Sequence, residues 1–424
     1  MNKIRKMTIA GATFASICAL SIGAANAQGT TLELMHFWTS GGEANAMQVI
    51  KDEAEKAGIV WEDAAVAGGA GMNAYQVLQA RIAAGNPPAA MQMHSAQIRQ
   101  FAEEGLLTDL DDVAKAQGWD AEGVLDPQLK AYAYTGGHWV GAPFNTHRHN
   151  WIWINKELLD KYGGEPPKTW DDFFAMADKM KADGVIPIAH GGQAWQELFL
   201  WEAVVNGIGG PAFHKAAIEE LDPDALSGDT MKQVFDTYRK VLSYVDEGYP
   251  NRDWNLSIAM VMDGKAAMAL AGDWALGEFN VAGKEANVDY VCANGPGTEG
   301  QFVWLADYWG FFDGLDEAGV EAQKKLAAIT MDPAVQEAFN IRKGSIPARL
   351  DVKPDNFGFC GQKGIADRAE AVKAGTMVPS LSQNSAQTTD VRGVFEDVVN
   401  EFANTPDMTA EDAIAKINQG LSEL

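Results

Sequence analysis

Over residues 31–104 the chain alternates between strand-like and helix-like segments, and this alternation constrains the fold more than any other feature. Residues 31–38, 60–66 and 89–93 are short and apolar or alternating, as strands are. Residues 43–57, 73–84 and 97–104 carry helical spacing. Ala67-Gly68-Gly69-Ala70-Gly71, Gly85-Asn86-Pro87-Pro88 and Gly105 break the chain between them. The pattern predicts an α/β fold with a parallel-rich sheet and helices on both faces. A second region starts near residue 145. It has a strand at 151–155, a helix at 156–162 ended by Gly163-Gly164, a helix over 171–182 with Thr169 as N-cap, and a strand over 185–190. A chain of 424 residues exceeds what one hydrophobic core supports, so two domains are expected. No flexible linker, repeat or low-complexity segment divides them. The chain is therefore expected to cross between two lobes on short segments near residues 145, 305 and 350. That gives a first lobe of residues 28–145 plus 305–350 and a second of residues 146–304 plus 351–424.

The first residues read as an export signal rather than as part of the fold. Lys3, Arg5 and Lys6 precede an apolar run over residues 7–20, and Ala25-Asn26-Ala27 supplies small residues for cleavage after Ala27. The run is short for a spanning helix. Formal net charge is −25, and the mature chain is more negative still, because the signal carries basic residues and no acidic one. Such a charge opposes binding to nucleic acid and to anionic lipid, and it favours a soluble monomer without direct membrane insertion. Two cysteines remain after cleavage, Cys292 and Cys360. In an oxidising compartment an isolated pair forms one disulfide or stays as two buried thiols; it is a poor metal signature.

Several stretches, taken in order, resemble one family. Pro167–Trp170 with its amphipathic helix, "GVIPIAHGG" (184–192), "MDGKAAMALAGDW" (262–274) and "KGSIPAR" (343–349) are similar to bacterial extracellular solute-binding proteins. "FWTSGGE", "VAGGAG", "GNPPAA", "APFNTHRHNW" and "HGGQAWQE" narrow the resemblance to sugar-binding members that serve ATP-driven importers, the periplasmic glucose-binding proteins among them. The resemblance implies a two-lobe periplasmic-binding-protein fold, a hinge, and a small sugar such as glucose or a related aldose held in the cleft. It also implies delivery of that sugar to an inner-membrane permease. Presentation to a chemoreceptor would add to transport rather than replace it. Cys292 and Cys360 match cysteine positions of that branch, which supports a disulfide between them.

A pyranose needs aromatic rings for its C–H faces and charged or amide groups for its hydroxyls. Thirteen tryptophans are many for this length. Trp38, at the end of the first strand, and Glu43, beyond a Gly-Gly turn, are candidates. Ser40-Gly41-Gly42-Glu43 is equally a helix capping box, with Glu43 bonded to backbone. The resemblance favours ligand contact for Glu43. His94 ends the strand "AAMQM" where glucose-binding relatives carry lysine. Trp195 is expected on a loop of the second lobe, Trp274 follows the strand "AAMALAG" as a second stacking platform, and Asp307 falls where the chain returns to the first lobe. Lys343 opens "KGSIPAR"; its alternative is a solvated lysine at a helix end. Gln383 in "PSLSQNSAQ" stands where those relatives carry histidine, so both it and His94 bear on which sugar is bound.

Two other functional classes fit parts of the sequence. An exported glycoside hydrolase would use a pair among Glu43, Asp273 and Asp307 as acid and nucleophile. A metal-binding protein would use His147 and His149, which strand spacing puts on one face. No nucleophile elbow, zinc helix motif or phosphate loop is present, no cofactor is implied, and export with a two-lobe reading favours a binding protein over an enzyme.

Overall fold

The structure, a computed structural model, describes residues 29–424. The expected signal segment lies outside the described residues. The first sheet has five strands. Thr30–His36 lies between Ile59–Ala65 and Ala90–His94 and runs parallel to both. Asp307–Phe311 pairs with the far side of Ala90–His94 in the antiparallel sense, and Gly141–Pro143 closes that edge. The crossover helix Gly41–Lys56 begins at a capping box formed by Ser40 and Glu43. It buries Ala46, Met47, Val49, Ile50 and Ala54, a stripe at helical spacing. The parallel half is what the local alternation predicts. The antiparallel half comes from far along the chain, where no local pattern reveals its partner.

The second sheet is ordered Tyr290–Asn294, Trp151–Asn155, Ala266–Leu270, Ile186–Ile188. Its strand Trp151–Asn155 is antiparallel to both neighbours, and the first sheet has as many antiparallel as parallel pairings, so neither sheet is parallel-rich as expected. Trp151 and Trp153 enter one apolar cluster, while Ile152 and Ile154 enter another on the opposite face. Burial on both faces is why this strand reads as an unbroken apolar run. The helices Ala194–His214, Asp229–Leu242, Thr389–Asn404 and Ala410–Ser422 pack against the isoleucine face. Among the described residues no helix is long and apolar enough to cross a membrane.

A third sheet joins the two. Asn145–Arg148 continues from Gly141–Pro143 toward Trp151–Asn155, and Phe302–Leu305 continues from Tyr290–Asn294 toward Asp307–Phe311. These two segments pair antiparallel, with Trp304 opposite Arg148 and Leu305 opposite His147. Ile346–Pro347 and Met377–Pro379 flank them. The molecule is thus a two-lobed α/β protein whose lobes are joined through one narrow sheet, the geometry of a hinge.

Cys292, on the second sheet, and Cys360, in the first turn of helix Phe359–Ala374, form a disulfide with a sequence separation of 68 residues. Both are buried beside Trp153 and Phe279. Reduction is expected to lower the free energy of unfolding by about 4 kcal/mol, the chain-entropy value for a loop of this length. Chemical denaturation with and without reductant measures it; coincident midpoints would show that the bond adds nothing.

Candidate binding cleft

The carboxyl ends of the three parallel strands open onto one edge of the first sheet, where α/β folds place ligand sites. Trp38 lies in the loop after Thr30–His36, residues 67–70 follow Ile59–Ala65, and His94 ends its own strand. Asp307 begins the antiparallel strand and is in register with His94, so it reaches the same edge. The second lobe faces this edge with Trp195, Trp274 and residues 253–255. Between them is a cavity of about 290 Å³. Trp38, Glu43, His94, Trp195, Trp274, Asp307, Lys343 and Gln383 all border it, as do His147, Gln193 and Trp254.

Asp307 is the hub of the buried polar network. One of its oxygens accepts from Gln92 Nε2 at 2.7 Å and lies 3.4 Å from His94 Nε2. The other accepts from Asn145 Nδ2 at 3.0 Å and lies 3.2 Å from His147 Nε2. Burial works against its charge, but the contacts with His147 and His94 hold its carboxyl well below the usual carboxylate range. The other ring nitrogen of His147 bonds to Asp273, whose second oxygen accepts from Arg148 N at 2.8 Å. Burial likewise opposes a charged imidazole. Asp273, backed by Asp307, nevertheless raises the His147 pKa above its ordinary value against the opposing charge of Lys343. One imidazole on the hinge strand therefore bridges a carboxylate from each lobe.

Glu43 does two things at once. Its Oε2 accepts from Thr39 N and Ser40 N at 3.2 and 3.3 Å, completing the capping box. Its Oε1 pairs with Lys343 Nζ at 3.2 Å. Lys343 ends helix Pro333–Lys343, yet it is 2 % exposed, with its ammonium 5.1 Å from the centre of the Trp38 ring. A solvated helix-end lysine is thereby ruled out. Trp38 is itself held against Phe144 and Phe339.

Trp195 lies in the first turn of helix Ala194–His214 rather than in a loop, because the break at Gly191-Gly192 ends before Gln193, the N-cap. Its Nε1 donates to Gln193 Oε1 at 2.8 Å. It crosses the cleft to lie on Gly69, where a Cβ would sit 1.7 Å from the indole nitrogen; glycine is the residue that permits this approach. Trp274 stands edge-on to His147 and to Phe199. His94 Nδ1 and Gln383 Nε2 are buried without a protein partner. With Nε2 turned to Asp307, His94 leaves Nδ1 for a ligand hydroxyl, and the Gln383 amide presents a donor.

His147 and Trp254 border the cavity without having been singled out as ligand contacts. Trp254 opens a helix after Asp253, as Trp274 precedes a helix after Asp273, so a repeated Asp-Trp pair was the available signal. His147 was legible only as half of a histidine pair. That pair separates in the fold: His149 Nε2 lies 3.1 Å from Ser382 Oγ and 3.2 Å from Glu202 Oε2, away from the cavity.

A family profile described as bacterial extracellular solute-binding protein matches residues 39–306. The chain belongs to that family. A solute-binding relative named "Probable sugar-binding periplasmic protein", from Brucella melitensis, is 45 % identical over 418 residues, 98 % of each chain. Among solved structures, the bacterial solute receptor AcbH, described as preferring β-D-galactopyranose, superposes with a TM-score of 0.78 at 18 % identity, covering 93 % of this chain and 98 % of that one. Maltose-bound MalE3 of T. maritima superposes at 0.77 with 17 % identity, covering 93 % and 100 %. Members of this solute-binding family bind rather than transform their ligands, and the chain is not an enzyme.

The raised His147 pKa fixes the sign of a pH effect. Its charged form is favoured by folding, so that stabilisation is complete below about pH 6.5 and is lost as pH rises through the higher folded value. Asp307 behaves oppositely: its contribution is present above about pH 4 and is lost as pH falls through its depressed folded value. The stability gap between wild type and His147→Gln should therefore be widest near pH 5–6 and narrow toward pH 9, as read by urea unfolding. A gap that widens with pH would contradict the bridge.

Proposed function

We propose that the protein is the periplasmic sugar-binding component of an ATP-driven importer and that its ligand is a single pyranose, an aldose such as glucose or galactose. Lobes of residues 28–145 plus 305–350 and 146–304 plus 351–424 would close on the sugar, and the closed monomer would dock on an inner-membrane permease. Export would use residues 1–27. The observation that carries the reading is one cavity bordered by both lobes, lined by indoles and by ion-paired and amide groups. Trp195, Trp254 and Trp274 border it from the second lobe and Trp38 from the first; Glu43, Lys343, His94 and Gln383 add donors and acceptors for hydroxyls. The volume of about 290 Å³ is at the low end of small-molecule sites, which suits one ring better than a chain of them. His94 and Gln383 read hydroxyls in a different pattern from a lysine and a histidine, so the epimer bound need not be glucose.

The hydrolase alternative loses its acid. Asp307 is held ionised with both oxygens committed, Asp273 is tied to His147 and Arg148, and Glu43 is shared between a helix cap and Lys343. Each of these carboxyls is already bonded to polar partners, whereas the acid of glycosidic cleavage sits in an apolar setting that raises its pKa.

A thermal-shift panel of glucose, galactose, xylose, sorbitol, glucosamine and maltose tests the reading. One aldose should raise the melting temperature, and maltose should do so less. Trp274→Ala should weaken binding of that aldose by at least about 1 kcal/mol. No shift with any aldose would remove the assignment, and unchanged affinity would remove Trp274 from the site.

A further inference from the structure

We infer that Glu278, which does not border the cavity, is a latch that holds the lobes closed and so sets sugar affinity; the inference rests on the binding reading above. Helix Gly41–Lys56 buries its apolar stripe in the first lobe. Helix Ala275–Val281 begins directly after Trp274 and buries Ala275, Leu276 and Phe279 in the second. The two meet at one hydrogen bond, from Gly42 N to Glu278 Oε1, at 2.8 Å. The first N–H groups of a helix have no partner within it. Ser40 satisfies Glu43 N, and Glu43 satisfies Thr39 N and Ser40 N, from within the same lobe. Gly42 N alone takes its acceptor from across the cleft, and that acceptor is a carboxylate placed at the positive end of the helix.

The backbones at this contact are as close as glycine allows. A Cβ on Gly42 would lie 2.7 Å from the carbonyl carbon of Gly277, and one on Gly277 would lie 2.8 Å from the carbonyl oxygen of Lys343. Neither glycine has a positive φ, so crowding between lobes, not a backbone turn, requires the missing side chain. The junction is also tied to the cavity. Gly42 precedes Glu43, Gly277 lies one helical turn beyond Trp274, and the crowded carbonyl belongs to Lys343, the partner of Glu43. Rotation about the hinge that separates Trp274 from Glu43 would expose Gly42 N–H and the Glu278 carboxylate to water. A ligand that favours the closed state then draws on the free energy of this contact, and affinity falls when the contact is removed.

Calorimetric titration tests this, using the aldose of the panel above that gives the largest shift. Glu278→Ala should weaken binding about fivefold, with Glu278→Gln between it and wild type, because the amide keeps an acceptor and loses the charge. Gly42→Ala should weaken binding at least as much without lowering the ligand-free melting temperature, since alanine suits a helix better than glycine. X-ray scattering should show saturated wild type compacting and Gly42→Ala compacting less. Wild-type affinity in both Glu278 variants, or a fall in ligand-free melting temperature in Gly42→Ala, would mark the contact as a permanent joint and overturn the latch. Where Trp274→Ala loses binding while the Glu278 variants keep it, only the latch falls. Where wild type binds no aldose, the binding reading falls and the latch with it.

Discussion

The cleft depends on one imidazole shared across the hinge. His147 stands between Asp307, on the edge of the first sheet, and Asp273, at the end of a strand of the second. Without that imidazole Asp273 would lose a side-chain partner and Asp307 one of its two histidine contacts, in a medium that screens poorly. With it, the site reaches a balance that fixes positions. Asp307 gathers Gln92, His94 and Asn145 around itself, and Asp273 sets the start of the segment that carries Trp274. The groups available to a ligand are those left over once this network is satisfied.

Glu43 shows how a local motif and a long-range site share one side chain. A carboxylate has two oxygens, and here one completes a helix cap while the other meets Lys343 from a helix near the far end of the chain. Reading the segment as a capping box or as a ligand contact poses a false choice: the cap holds the side chain still, and a fixed side chain is what hydroxyl recognition needs. The same economy appears at Lys343, whose place in the last helical turn is favourable for a cation and whose burial against Trp38 turns that cation toward the cavity.

Much of this was legible because it is local. The cap at Ser40, the helix over Trp170–Ala182 with Thr169 at its start, and the two-sided strand Trp151–Asn155 follow from nearest neighbours and short periods. Most candidate residues fell together because they sit at or just beyond the ends of strands and helices that face the cleft, and such ends are visible as breaks in a pattern. His147 and Trp254 were harder. A buried histidine is defined by what approaches it from other elements, and Trp254 differs from the core tryptophans only in the exposure its partners leave it.

The sequence by itself determined the alternation of elements, the helix starts, the acidic composition and the family. Hydrophobic period, capping and composition act over a few residues and survive without a fold. Only the tertiary structure decided that Asp307–Phe311 joins the first sheet antiparallel, that Glu278 reaches Gly42, and that His147 stands between Asp273 and Asp307. Those facts are distances between segments 126 to 236 residues apart. Such distances are set by how two lobes pack, which no short-range pattern encodes.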